Sequence, residues 1–275
     1  MPSLPTDRPY RYLLGDGVSE SARLKAQSRL WDPVTAELLD RVGIKQGWRV
    51  LEVGPGQGSV QTMLRARTQS PIDAVEPSPA FAAAVRRTLA RDAVGFGRMW
   101  ESPLADADLP AKHYDVIYAR WVFLFLPEPE RHVQQMVRAL KPGGQLVVQD
   151  YQRDTLSMVP TPPHWDAFLE ADAAFFASQG GYANIGGLLP AMFERAGLTI
   201  THTRATIKTG HPNSDVWRWL STYFLGVMDR LAGRAPFTKA RAAALTHAWQ
   251  AAARTRHALL ISPAVIDVVG QKLGR

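Results

Sequence analysis

Cysteine is absent from this 275-residue chain. Its absence excludes disulfides, thiolate zinc sites, a cysteine nucleophile and an iron–sulfur cluster held by three cysteines. Long apolar runs are missing as well. WVFLFL at 121–126 falls far short of the roughly 18 residues that a membrane-spanning helix needs. The opening stretch, MPSLPTDRPYRY, has no apolar segment of the secretory type, so a cytoplasmic protein is expected. Internal repeats and low-complexity tracts are also lacking.

What is present is ordinary in bulk: 46% hydrophobic and 21% charged residues, as in a soluble globular protein. The length allows a full core, as one large domain or a domain with a cap. The net charge of +7 is unevenly placed, since residues 201–256 carry nine Lys/Arg against two Asp/Glu. Such a segment reads either as a basic face over an anionic partner or as a solvated, Arg-rich helical surface. The second reading is preferred, because no nucleic-acid-binding motif accompanies the charge.

The most informative stretch is 48–61, WRVLEVGPGQGSVQ. Val50, Leu51 and Val53 around Glu52 have strand length and β-branched character. The run ends in Gly54-Pro55-Gly56-Gln57-Gly58, after which a helical pattern opens at Ser59. Glycines at every second position let backbone approach a ligand closely, and the N–H groups of the following helix point over the turn. Dinucleotide fingerprints read G-x-G-x-x-G, whereas here Ser59 stands in the sixth place. A second apolar run, 72–75, ends in Glu76, 24 positions after Glu52. An acidic residue at the tip of a second strand suits a ribose diol.

VLEVGPGQG at 50–58, AVEPS at 74–78, YDVIYAR at 114–120 and ALKPGGQLVV at 139–148 occur in order. Together they resemble the class I S-adenosylmethionine-dependent methyltransferases, over roughly residues 35–150 and more loosely beyond. The resemblance implies a Rossmann-like, seven-stranded, mostly parallel sheet flanked by helices, with the seventh strand antiparallel beside the sixth. It implies S-adenosyl-L-methionine as cofactor, S-adenosyl-L-homocysteine as product, and no metal. Cofactor contacts carried over to this sequence are Glu52, Gly54, Gly56, Gly58, Glu76, Pro77, Trp100, Glu101, Arg120 and Trp121. Tyr12, Gly15, Arg23 and Gln27 resemble the Y-x-x-G…R-L-x-x-Q segment that closes over the cofactor in some small-molecule members, which adds Tyr12 and Arg23. Trp100 reads equally well as a core aromatic, and the 19–31 helix as an ordinary amphipathic one. Nucleic-acid adenine and glutamine N-methyltransferases place D/N-P-P-Y/F after the fourth strand; here Arg120-Trp121-Val122-Phe123 stands there, which disfavours a nucleic-acid acceptor.

Strand and helix alternate every 20–25 residues up to Tyr151, predicting βαβ crossovers and a parallel sheet with its site beyond the carboxyl ends of the strands. Two helices are expected before it, one from Ser19 to Trp31 and one that Asp32 caps and Pro33 opens. Residues 94–100 predict a third strand, and 152–163, with three prolines, a linker. The expected organisation is an N-terminal helical segment, 1–45, closing over the cofactor. A core follows at 46–151, 187–210 and 258–275, with a helical lid from 152–186 and 211–257.

Transfer of a methyl group from a sulfonium mainly requires alignment and exclusion of water. A general base is needed only where the acceptor must lose a proton. His164, opening the first insertion, and His211, before the second, are the histidines placed for that task. Each also reads as a plain loop residue. Trp165, Phe168, Trp219 and Tyr223 are the candidate acceptor contacts, with the alternative that a stripe at helical spacing is core. The function expected is methylation, at oxygen or nitrogen, of a small aromatic or hydrophobic metabolite by a monomer or homodimer. The alternatives are an RNA methyltransferase using the 201–256 face and a non-catalytic, cofactor-retaining scaffold.

Overall fold

A computed structural model of the chain describes residues 18–90 and 94–274. Among these residues, α1 (Val18–Val42) leads into β1 (Val50–Val53), α2 (Ser59–Thr68), β2 (Asp73–Val75), α3 (Pro79–Leu89) and β3 (Met99–Trp100). Then follow β4 (Tyr114–Arg120), α4 (Pro129–Ala139), β5 (Leu140–Gln152), β6 (Ser157–Val159), α5 (Trp165–Ala177) and α6 (Leu189–Arg195). The rest is β7 (Leu198–Thr206), β8 (Thr209–Gly210), α7 (Asp215–Leu231), α8 (Lys239–Ala252), β9 (Leu259–Ile261) and β10 (Ala264–Lys272). No helix among the described residues is long and apolar enough to cross a membrane.

Seven strands form one sheet in the order β3-β2-β1-β4-β5-β10-β7, with β10 antiparallel to both neighbours and the other pairs parallel. Both faces are covered, so β1 is buried at all four positions, Glu52 included. Alternate side chains feed two cores: Leu51, Val53, Ile117, Ala119 and Val148 on one face, and Val50, Val116, Tyr118 and Val147 on the other. Gln149 on β5 crosses the second face. Its Oε1 accepts from Thr35 Oγ1 (2.7 Å) and from the Tyr118 hydroxyl, and its Nε2 donates to Asp267 on β10 (2.6 Å). Arg204 on β7 closes the chain at Asp267 (2.9 Å).

Three local expectations are corrected. Residues 18–42 are one helix with Pro33 inside it, not two. An interior proline costs about 3 kcal/mol, but Trp31, Val34, Leu38 and Leu39 form one continuous buried stripe across it. Asp32 does not cap a helix; its carboxylate accepts from Arg120 instead (2.9 Å). The third strand is only two residues long, since Asp73 Oδ1 takes the Arg98 N–H (2.7 Å) just before Met99. The 152–163 stretch is not merely a linker. It contributes β6 to a small antiparallel sheet, β6-β9-β8, that joins the chain just beyond β5, beyond β7 and before β10.

Helices α5, α7 and α8 share an aromatic core. The Phe224 and Trp249 rings stack at 4.0 Å, with Phe168 at 5.0 Å from Phe224. Truncating Phe224 to Ala should destabilise the fold by about 3–5 kcal/mol, read as a lowered denaturation midpoint in urea; a midpoint unchanged from the parent would contradict this packing.

Candidate active site

A cavity of about 330 Å³ lies beyond the carboxyl ends of β1, β2, β4 and β5. The chain leaves β1 through Gly54 and Gly56, with φ of 68° and 55°. A Cβ on Gly54 would stand 2.5 Å from Val122 Cγ2, so the loop after β4 packs directly on this backbone. A Cβ on Gly56 would meet nothing within 4 Å, because that part of the turn faces the cavity.

Glu76 sits at the tip of β2, 4% exposed. Its Oε1 accepts from Ser78 N (2.9 Å) and its Oε2 from Gly56 N (3.2 Å). Burial pushes its carboxyl up to about 7 against those two bonds. Glu52 lies deeper. Burial pushes it up to about 8, opposed by the Arg120 charge and a Gln61 hydrogen bond, and its Oε2 makes no hydrogen bond among the described residues. Asp150, off the cavity wall, is raised to about 7 by burial although it accepts from Tyr151 N (2.8 Å) and Leu124 N (3.3 Å).

Arg120 donates to Asp32 and Thr35 (both 2.9 Å) and to Ser59 (3.1 Å), tying β4 to α1 and the start of α2. Trp121, with φ of 55°, turns its ring onto Tyr151, stacked at 5.5 Å and 15°. Gln27 on α1 joins three walls: it accepts from Arg23 (2.5 Å) and Trp219 Nε1 (3.4 Å) and donates to Tyr151 Oη (3.3 Å). Tyr223 donates to Asp172 (2.5 Å).

Of the residues singled out from sequence, Arg23, Glu52, Gly54, Gly56, Glu76, Pro77, Arg120, Trp121, Trp219 and Tyr223 border this one cavity. Tyr12 lies outside the described residues. Gly58 (φ 82°) precedes α2 beside the cavity rather than in its wall. Trp100 and Glu101 do not reach it. Trp100 turns into the core with the Arg98 guanidinium 4.2 Å from its ring, and exposed Glu101 pairs with Arg86. The next turn, Pro103 to Ala105, borders the cavity in their stead. Trp165 and Phe168 face the aromatic core between α5, α7 and α8; Trp165 shares a helix face with Phe176 but lies about three turns before it, so only the end of α5 reaches the wall. His164 and His211 are exposed and off the wall; His164 holds a left-handed backbone before α5, and His211 Nδ1 is tied to Ala258 O (3.1 Å).

Two ionisable wall residues were not singled out from sequence, His132 and Arg153. His132, on the buried face of α4, has its pKa lowered by burial, and its Nδ1 makes no hydrogen bond among the described residues. The only sequence signal was its place beside Val133 on an amphipathic helix. Arg153 follows β5 in a proline-bearing stretch without periodicity, and nothing in the local pattern marks it.

A family model described as "Methyltransferase domain" matches residues 23–203. The chain belongs to the class I S-adenosylmethionine-dependent methyltransferases. Among curated relatives of this methyltransferase, the methyltransferase GfsG of Streptomyces halstedii is 30% identical over 46% of this chain and 47% of its own. The ubiquinone/menaquinone biosynthesis C-methyltransferase UbiE of Azotobacter vinelandii is 26% identical over 48% and 52%. The chain thus spans about half the length of these relatives. In fold it is similar to a Bacillus halodurans protein provisionally named a methyltransferase, with a TM-score of 0.59 and 15% identity over 86% of this chain and 98% of that one. The [4+2]-cyclase SpnF is also similar, at a TM-score of 0.57 and 17% identity over 89% and 83%.

The raised carboxyls carry a pH dependence. Glu52, Glu76 and Asp150 have native pKa values above those of the unfolded chain, so the fold favours their neutral forms. The stability they lend is complete below the unfolded values near 4.5 for Glu and 3.8 for Asp, and is lost as pH rises through about 7–8. The thermal midpoint of the ligand-free methyltransferase should therefore fall between about pH 5 and about pH 8.5, and Glu52→Gln should flatten that decline. Scanning calorimetry across this range checks it; a midpoint that rises, or an unaltered slope in the variant, would count against these shifts.

Proposed function

We propose that this chain transfers the methyl group of S-adenosylmethionine to oxygen or nitrogen of a small aromatic or hydrophobic acceptor, releasing S-adenosylhomocysteine. The observation that carries the reading is the shared cavity. A buried acidic residue, a glycine turn open to the cavity and a wall of Trp121, Tyr151, Phe176, Trp219 and Tyr223 all border it. Such a mostly apolar site with a few polar groups suits a small metabolite.

In this reading Glu76 accepts from the ribose hydroxyls of the cofactor, and the glycine turn with the first N–H groups of α2 takes its methionine end. Pro103 to Ala105 border the adenine side, and Arg23, Glu52 and Arg120 supply the remaining polar contacts. The cofactor brings an already activated methyl group. The protein's part is to align the acceptor and keep water out. The segments 152–186 and 211–257 serve as the lid and α1 closes the other side. Phe176, Trp219 and Tyr223 from α5 and α7, and Arg23 and Gln27 from α1, border the cavity in support. A base at His164 or His211 is not part of the reading, since neither residue borders the cavity.

The basic 201–256 segment lends little to an RNA acceptor. Arg204 pairs with Glu37 and Asp267, and Arg218 with Asp215. The likeness to a [4+2]-cyclase makes a turnover measurement the deciding experiment: release of S-adenosylhomocysteine across a panel of small aromatic acceptors is expected, and none with any acceptor would favour a non-transferring scaffold. For the cofactor, calorimetry with S-adenosylhomocysteine should show Glu76→Ala weakened by about 1.5–3 kcal/mol. Gly56→Val should bind none, since a branched side chain would enter the open space at a φ that suits glycine. Unchanged affinity in either variant would remove the assignment.

A further inference from the structure

The cavity wall formed by the end of β5 with α5 and α7 holds a cation that methyl transfer itself does not require. Arg153 is 7% exposed, and its guanidinium lies 4.6 Å from the Tyr223 ring, 5.0 Å from Phe176 and 5.9 Å from Tyr151. Asp172 on α5 accepts from its Nε (2.8 Å). Nη2 lies 2.7 Å from the same oxygen, at an angle that makes no hydrogen bond. The other carboxylate oxygen is taken by Tyr223 Oη (2.5 Å). Burial works against the charge, and the Asp172 carboxylate more than offsets it, so Arg153 stays cationic.

A guanidinium has five N–H donors, and among the described residues a single one of Arg153 is used in a hydrogen bond. Buried donors left unmade are costly. A tie between β5, α5 and α7 would need only the Nε contact, and apolar residues could make it as well. Nη2 is sealed within the wall, but Nη1 is not, and Arg153 borders the cavity flanked by three aromatic rings that border it too. Arg23, the wall residue on α1, adds a second positive charge that acts on the same two phenols, Tyr151 and Tyr223. A planar, fork-shaped cation beside aromatic faces matches an oxyanion on an apolar body.

We propose that Arg153 anchors the methyl acceptor, taking a carboxylate or other oxyanion of it through its Nη1 group, which Asp172 leaves unused. Tyr151, Phe176 and Tyr223 pack against the acceptor's apolar part. The anchor makes the substrate class a small aromatic or hydrophobic acid. It rests on the methyl-transfer reading only in naming the occupant an acceptor.

The test uses matched probes: benzoate and benzamide, cinnamate and cinnamamide, indole-3-acetate and indole-3-acetamide. Each is titrated calorimetrically into the protein with and without saturating S-adenosylhomocysteine. At least one acid should bind about tenfold or more tightly than its amide, as a charge-assisted hydrogen bond requires. In Arg153→Met combined with Asp172→Asn, which leaves neither charge unpaired, that preference should vanish while affinity for S-adenosylhomocysteine stays. If every acid binds no more tightly than its amide in the unaltered protein, or if the preference survives in the double variant, the proposal is overturned. Should the double variant not fold, the acid–amide comparison in the unaltered protein decides by itself, with Arg153→Lys expected to keep part of the preference. Failure to bind S-adenosylhomocysteine would instead defeat the methyl-transfer reading, and the acid preference measured without it would stand or fall separately.

Discussion

Gly54 carries no side chain, and Val122 fills the space where one would stand. This contact brings the loop after β4 onto the turn after β1, and much of the site follows from it. With Val122 seated there, Trp121 adopts its left-handed backbone and stacks on Tyr151 at the end of β5. The neighbouring Arg120 reaches back to Asp32, Thr35 and Ser59, so α1 and α2 are drawn to the same edge. A parallel sheet buried on both faces leaves only its ends for chemistry, and this packing decides how tightly those ends are gathered.

The same edge concentrates charge under low-dielectric conditions. Glu52 and Glu76 are held in a layer where burial favours their neutral forms, while Arg120 sits between them and α1 as a paired cation. Carboxyls of this kind respond to whatever charge enters the cavity, because buried surroundings screen it weakly. The Gln149 chain, on the same face of the sheet, has the contrary character. Its members are mutually hydrogen-bonded from Thr35 through Asp267 to Arg204, which makes it a brace rather than a site.

The insertions divide their aromatic residues between two tasks. The start of α5 and one side of α7 join α8 in a core of stacked rings around Phe224 and Trp249. The end of α5 and the adjacent side of α7 contribute Phe176, Trp219 and Tyr223 to the cavity, and the small β6-β9-β8 sheet joins the roots of both insertions. Trp165 and Phe168 fall on the first side, although by residue type they were equal candidates for the second.

Much of this architecture is legible in consecutive residues. The β1 run, its glycine turn, the acidic tip of β2, the caps at Ser78, Ser214 and Thr238 and the strand–helix alternation are properties of neighbours in the chain. The amphipathic stripe of α4 and the Gly143-Gly144 irregularity near the start of β5 are equally local. Where local rules pointed elsewhere, tertiary packing decided. Burial of one stripe carried α1 through Pro33, and Asp73 shortened β3 by taking a ladder N–H. The composition of the cavity wall was not local at all. Gln27 meets Trp219 across 192 positions and Tyr151 across 124, while Arg153 finds Asp172 and Tyr223 on two separate helices. Period and turn chemistry specify which face of an element is apolar, but not which of several apolar faces will border a void. That choice depends on how whole elements pack, and it put Trp219, Tyr223 and Arg153 at the cavity while turning Trp165, Phe168 and both candidate histidines away from it.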